Sequence, residues 1–288
     1  MPHLKWTSTA KYHAKDLLSK LGINSIPICP FFIAEKLEIE IMKLPPNKKG
    51  VSGMLLQSND NFGILYATYL NNEGYERFSI CHEIGHYYLP GHPEKILKEV
   101  IHQSQAGFTI DDRFEFEADQ FAANLLMPAH LFEKEVDKFP TSMNSIEKLS
   151  KIFVTSLTAT AIRYIEFTPA AVAVILSTSN VIDYCFMSDT FKEFKGIEWI
   201  KKGTPLPTYS ITHKFNKDKK NVLKSFRREG YINIQHWFGG DYEIELVEEV
   251  LGLGNYGKTL TILYTTDLSQ IEDIEEEETL EELWTPQF

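Results

Sequence analysis

The segment CHEIGH at 81–86 places two histidines four residues apart, with a glutamate directly after the first. On an α-helix, residues four apart lie on one face, so His82 and His86 can direct their imidazoles at the same point. Glu83 lies one step around that helix. There it can touch a water held at that point without competing with the histidines for it. Two convergent imidazoles with an adjacent carboxylate are the arrangement that a zinc-bound hydrolytic water requires. Two histidines do not complete such a centre, which usually takes three protein ligands and leaves one position to water. The chain must therefore fold a second element against the first and bring one more ligand to it.

The segment RFEFEADQFAANLLMP at 113–128 supplies that element. Glu115 and Asp119 are four apart and share a helix face, and Ala118 and Ala122, near that face, are small enough for close helix approach. Phe121, Leu125 and Leu126 can anchor the helix in a core. Glu115 would complete a site of two histidines and one carboxylate, and Asp119 would accept the second N–H of a ligand histidine and fix its tautomer. E-x-x-x-D after H-E-x-x-H is the gluzincin pattern. Glu117 remains the local rival to Glu115; it lies about 200° around the helix, so only one of the two can face the metal. His92 and His102 read as surface residues, and Cys81 as core. H-E-x-x-H alone arises by chance on amphipathic helices, and the second helix is what raises it above that background. Zinc is the expected metal, although a set of two histidines and a carboxylate also accepts manganese or iron.

The elements around these helices predict an α+β chain. Residues 8–22 read as a helix with Ala10, Ala14, Leu17, Leu18 and Leu21 on one side, and Pro30 opens a short second helix. IEIMKL, VSGMLLQ and FGILYATYL read as strands, the last two joined by a hairpin at SNDN. The metal helices are expected over about 76–89 and 113–127, each stopped by a proline. A helix pair follows at 145–166. After Pro169 the texture turns to strands: AVAVIL, VIDYCFM, INIQHWF, EIELVEEV and TLTILYT. Residues 62–70 are the expected sheet edge on which a peptide substrate could add as a strand.

Charge and cysteine content narrow the setting. The net charge of −11 is concentrated at the end, where 271–283 holds eight acids and no base, so the remainder is close to neutral. Residues 201–230 carry nine of the 29 basic residues against two acids, which reads as a solvated face. Three widely spaced cysteines argue against a disulfide framework and for a reducing compartment. With no apolar run long enough to span a bilayer and no signal-peptide pattern at the start, the expectation is a cytoplasmic protein without a membrane partner.

RFSICHEIGHYYL followed by EFEADQFAANLLMP resembles the ImmA/IrrE metallopeptidases, whose pattern is roughly R-F-x-x-A-H-E-x-G-H and then E-x-x-A-N-x-F-A-A-x-L-L-M-P. Cys81 stands where alanine is usual and Asp119 where asparagine is frequent; neither departure removes a ligand. The resemblance covers about 8–168 and extends loosely beyond. It implies a zincin-like domain of helices plus a small sheet over 1–140. A helix-turn-helix-like element over 141–168 and a β-rich, GAF-like sensor domain over 169–268 follow, with the acidic tail at 269–288. It also implies a zinc endopeptidase that relieves repression by cutting a helix-turn-helix repressor of the Xre type, with His82, His86 and Glu115 on the metal and Glu83 as general base.

Two other signals point elsewhere. GLGNYGKT at 252–259 fits both G-x-G-x-x-G and G-x-x-x-x-G-K-T. Both motifs need a helix after the loop to hold phosphate, and LTILYTTD alternates like a strand, so a glycine-rich turn without a nucleotide is expected. In the helix pair at 145–166, the second helix has Arg163 as its sole base, too few for phosphate contacts, so a structural role is expected rather than direct DNA binding. The reading left beside the enzyme is a non-catalytic sensor or antitoxin-type binding protein with a structural metal. Glu83 favours the enzyme, since a structural site has no use for it.

Overall fold

The computed structural model describes residues 2–45, 50–97, 101–105, 112–240 and 243–265, with the side chains of 2–6, 101, 102 and 105 excepted. The acidic tail at 269–288 and the side chain of His102 thus lie outside the described residues. The chain forms two compact units of an α+β fold. One holds residues up to Lys138 together with Glu147–Arg163; the other holds Phe139–Ile146 and the chain from Tyr164.

The first unit opens with α1 (Pro2–Lys20), which buries the expected stripe of Ala10, Ala14, Leu17 and Leu18. Helix α2 (Pro30–Lys36) starts on its proline, whose missing N–H costs nothing in a first turn. Strands β1 (Ile39–Lys43), β2 (Val51–Ser58) and β3 (Asn61–Tyr66) follow, with Asn59 in the left-handed region at the β2–β3 turn. Next come α3 (Glu73–Tyr88), the short α4 (His92–Ile96), β4 (Ile101–Gln105), α5 (Arg113–Leu126) and α6 (Ala129–Val136). Asn72 caps α3 by accepting from Tyr75 N–H at 3.0 Å, and Asp112 caps α5 by accepting from Phe114 N–H at 2.8 Å.

The sheet order is β1-β3-β2-β4, with β1 parallel to β3 and the other pairs antiparallel. This corrects the expected substrate edge. Strand β3 is bonded on both sides, so 62–66 offers no open edge; the parallel return of β1 and the pairing of β4 are long-range events that local patterning does not reveal. The edges are β1 and β4.

Helices α7 (Met143–Phe153) and α8 (Leu157–Tyr164) form the expected helix pair. Arg163 is buried, and its guanidinium donates to the Met127 carbonyl and to Asn124 Oδ1 at 2.9 Å. It thereby satisfies a carbonyl at the end of α5, where the helix leaves its last carbonyls without partners. The loop before α8 lies directly against the start of α3: a Cβ on Gly74 would stand 2.3 Å from Ser156 N and from the Thr155 carbonyl carbon.

In the second unit, β5 (Ala171–Thr178), β6 (Val181–Met187), α9 (Asp189–Lys192), α10 (Ile211–Asn216), α11 (Lys219–Leu223), β7 (Arg227–Asn233), α12 (Gln235–Phe238), β8 (Glu245–Gly252) and β9 (Thr259–Thr265) follow in order. The five strands form one antiparallel sheet of order β6-β5-β9-β8-β7. Ala173, Ile175, Phe191, Trp237, Leu246 and Leu263 belong to the core of one face. Farther along the same face, the buried Glu248 carboxylate accepts from Ile211 N–H, Thr212 N–H and the Thr212 hydroxyl, tying the start of α10 to the sheet. The INIQHWF run is split: Ile232 and Asn233 end β7, Ile234 is the N-cap of α12, and QHWF forms that helix, whose Trp237 and Phe238 are buried. A strand pattern and one helical turn look alike over four residues.

The GLGNYGKT segment connects the adjacent antiparallel strands β8 and β9 through a 3₁₀ turn at Gly254–Tyr256, and Gly254 and Gly257 have positive φ. Lys258 pairs with Asp183 at 2.6 Å, and the Thr259 hydroxyl donates to Asn216 Oδ1 at 2.6 Å.

Because Gly74 meets backbone rather than a movable side-chain tip, Gly74→Ala is expected to destabilise the first unit by about 1–3 kcal/mol, or more. Denaturant unfolding checks this, with Gly22→Ala, where φ is positive but the space is open, as the comparison.

Candidate metal centre

Helices α3 and α5 pack closely because small residues face each other. A Cβ on Gly85 would come 3.3 Å from Ala118 Cα and 3.1 Å from Phe121 Cδ1. At that contact, His82, His86 and Glu115 converge. His82 Nε2 lies 3.0 Å from His86 Nε2 and 3.3 Å from Glu115 Oε2, and His86 Nε2 lies 3.2 Å from Glu115 Oε1. His86 is fully buried, His82 nearly so, and the Glu115 side chain is 18% exposed.

His82 Nδ1 is 2.8 Å from Asp119 Oδ1. An ionised carboxylate only accepts, so Nδ1 carries a proton, and whenever the ring is neutral it is Nε2 that presents the lone pair. Burial alone would lower the pKa of His82, but the carboxylates of Asp119 and Glu115 outweigh it and hold the pKa well above the ordinary histidine value. The buried site raises that of Asp119, against the pull of His82. Each shift reflects carboxylates and an imidazole gathered out of water.

The three donors fit a cation. Ligands about 2.0–2.1 Å from a tetrahedral zinc stand about 3.3–3.4 Å apart, close to the observed 3.0–3.3 Å. Two imidazole nitrogens and a carboxylate at that spacing repel one another unless a proton or a metal lies among them. These are the residues among those described whose ligand atoms all lie within 4.8 Å of one another.

Glu83 is fully buried on α3, beneath β2. A Cβ on Gly53 would stand 2.5 Å from Glu83 Oε1 and 2.9 Å from its Cγ. The strand can cross there because residue 53 has no side chain, and β2 shifts register against β4 between Val51 and Gly53 at the same point.

The structure brings His82, His86, Glu115 and Asp119 together as the spacing anticipates. It also reveals what the spacing did not. Glu117, the rival ligand, is turned to His92: His92 Nε2 lies 2.9 Å from Glu117 Oε2, and Arg113 Nε donates to Glu117 Oε1 at 3.0 Å. His92 is not a surface residue. It is fully buried, with Nδ1 at 3.2 Å from His86 Nδ1. Burial pushes its pKa below the usual histidine range, against the carboxylate of Glu117. The signal for it was LPG after the helix: Gly91 at φ 81° turns the chain back onto the helix it has just left. Of the tyrosines after His86, Tyr87 packs edge-on against Phe62, and the Tyr88 hydroxyl donates to Asp16 Oδ2 at 3.0 Å.

Residues 34–164 match the family model described as the IrrE N-terminal-like domain, Peptidase M78. This part of the chain is similar to the Peptidase M78 family. The matched span holds the whole centre and begins later than the similarity drawn over 8–168. The M78-like domain is followed by the β-rich unit, and together they are similar in fold to a Mycobacterium tuberculosis transcriptional regulator. That likeness has a TM-score of 0.57 at 12% identity, over 93% of this chain and 83% of that one. At that identity the likeness is one of fold alone. No curated protein matches the chain. Among the described residues, no helix is long and apolar enough to cross a membrane.

If the triangle binds a metal, Glu115→Ala removes a ligand and Glu117→Ala does not. Equilibrium titration is expected to give one equivalent of metal for the unsubstituted protein and an affinity lowered by more than about a hundredfold in Glu115→Ala. A larger loss in Glu117→Ala than in Glu115→Ala would move the third ligand.

Proposed function

We propose that the chain is a zinc-dependent endopeptidase in which His82, His86 and Glu115 hold the metal and Glu83 is the general base. The observation that carries this reading is the 3.0–3.3 Å donor triangle inside a domain similar to Peptidase M78, with a glutamate next to the first histidine. A zinc ion held there supplies a Lewis acid that polarises a scissile carbonyl and makes a water acidic near neutral pH. The chain supplies the rest. Glu83 takes the water proton on its carboxylate and delivers it to the departing amine. Asp119 keeps the His82 ring in the Nδ1–H form, so that Nε2 stays available. Burial of Glu83 keeps its charge close to the reacting centre and poorly screened by solvent.

The substrate class follows from the resemblance to ImmA/IrrE proteins: a helix-turn-helix repressor of the Xre type, cut so that repression ends. The β-rich unit would then receive the signal that releases activity. A soluble, cytoplasmic enzyme suits such a substrate.

Cleavage of candidate repressors by the purified protein, followed by mass spectrometry of the fragments, tests the reading. Glu83→Gln is expected to lower kcat by about 10²–10⁴-fold with metal content unchanged. Full biological function in Glu83→Gln would instead favour a binding protein with a structural metal.

Gly53→Ala separates the base from the ligands. The added methyl must displace the Glu83 carboxylate, and misplacing a reacting group by about 1 Å costs on the order of a hundredfold in rate. Cleavage is therefore expected to fall by roughly that factor while metal affinity stays near that of the unsubstituted protein. Unchanged turnover would place the base elsewhere.

A further inference from the structure

The mechanism above leaves one buried group of polar side chains without a task. His92 and Glu117 are 0% and 2% exposed, and they adjoin the proposed centre through His86. Burying an ionisable pair costs free energy that an apolar pair of similar size would avoid, so the arrangement calls for an account beyond packing.

The hydrogen bonds run in one direction. Arg113 donates to Glu117 Oε1, which leaves Glu117 Oε2 as an acceptor for His92 Nε2. A neutral imidazole carries one N–H. If His92 Nε2 donates, His92 Nδ1 has only a lone pair to offer, so at 3.2 Å His86 Nδ1 must be the donor. His86 Nε2 is then left as a lone pair, directed at His82 and Glu115. The His92 ring has little freedom to break this order: it lies tilted against His86 with centroids 5.3 Å apart, and Phe114 meets it edge-on at 4.9 Å.

We propose that His92, oriented by Glu117, is a positioning residue that fixes His86 as the Nδ1–H tautomer and aims its Nε2 at the metal. The inference rests on the metal-centre reading given above. It makes α5 the source of three carboxylates with separate tasks. Glu115 meets the metal, Asp119 orients His82 directly, and Glu117 orients His86 through an intermediary. The intermediary is needed because Glu117 lies about 200° around the helix from Glu115 and faces α4 instead.

The test uses the full chain and zinc as the probe. In the zinc-loaded protein, long-range proton–nitrogen correlation of the histidine rings is expected to show His86 protonated at Nδ1 and His92 protonated at Nε2. Competition against a chromophoric chelator is expected to show zinc affinity lowered about 10–100-fold in His92→Phe. His92→Asn, whose amide oxygen can accept where Nδ1 did, should recover most of the loss. A His92 ring protonated at Nδ1 would overturn the proposal, as would unsubstituted affinity in a folded His92→Phe. If His92→Phe does not fold, the tautomers of the unsubstituted protein decide. Should the unsubstituted protein bind no zinc, the metal reading falls and this inference with it; zinc binding that ignores His92 sinks the inference alone.

Discussion

The close contact of α3 with α5 is the constraint on which the centre depends. His82 and His86 belong to one helix and Glu115 to the other, and their donor atoms come within 3.0–3.3 Å only because Gly85 faces Ala118. A larger side chain at either position would separate the helix axes, and each added ångström would pass directly into the ligand spacing. Cohesion comes from the apolar residues beside that contact, with Ile80, Ile84, Phe121, Ala122 and Leu125 all fully buried. The packing is rigid enough to hold charged groups where they would not choose to be.

That rigidity matters because the site gathers carboxylates out of water. Glu83, Glu115, Glu117 and Asp119 are at most partly exposed. Arg113 answers Glu117 at the surface side, and His82 answers Asp119. Burial works against His82 but its carboxylate neighbours hold its pKa up, whereas burial itself raises that of Asp119. Such a cluster tolerates a divalent cation far better than it tolerates none, and the sheet above it leaves space over Glu83 by means of Gly53.

Much of this was legible in the sequence, and the limits have physical causes. Four-residue spacing on a helix is a local property, so His82 with His86 and Glu115 with Asp119 could be paired before any fold was known. The small residues at 118 and 122 signalled the close approach for the same reason. Sheet order was not legible, because the parallel return of β1 beside β3 and the pairing of β4 with β2 join segments far apart in the chain. The interior position of β3 followed from those pairings. His92 was misread because a histidine in a proline-glycine turn looks solvated, and only the fold puts it under His86. Glu117 stayed ambiguous until His92 was located. In the second unit the alternating runs gave the strands, while QHWF was too short for its helical turn to be told from a strand.

Rings anchored through Nδ1 turn slowly. A ligand histidine that swings away from a metal is the usual first step in metal exchange, and here His82 must first break its bond to Asp119 and His86 its bond to His92. On the reading of the centre given above, the same bonds that spare an incoming ion the cost of ordering the rings also hold both rings in place against its departure. The expected result is a long residence time, set by local opening of α3 against α5 more than by the strength of any one metal bond. Which metal the chain carries would then reflect what was within reach while α3 and α5 were closing, and would change little afterwards.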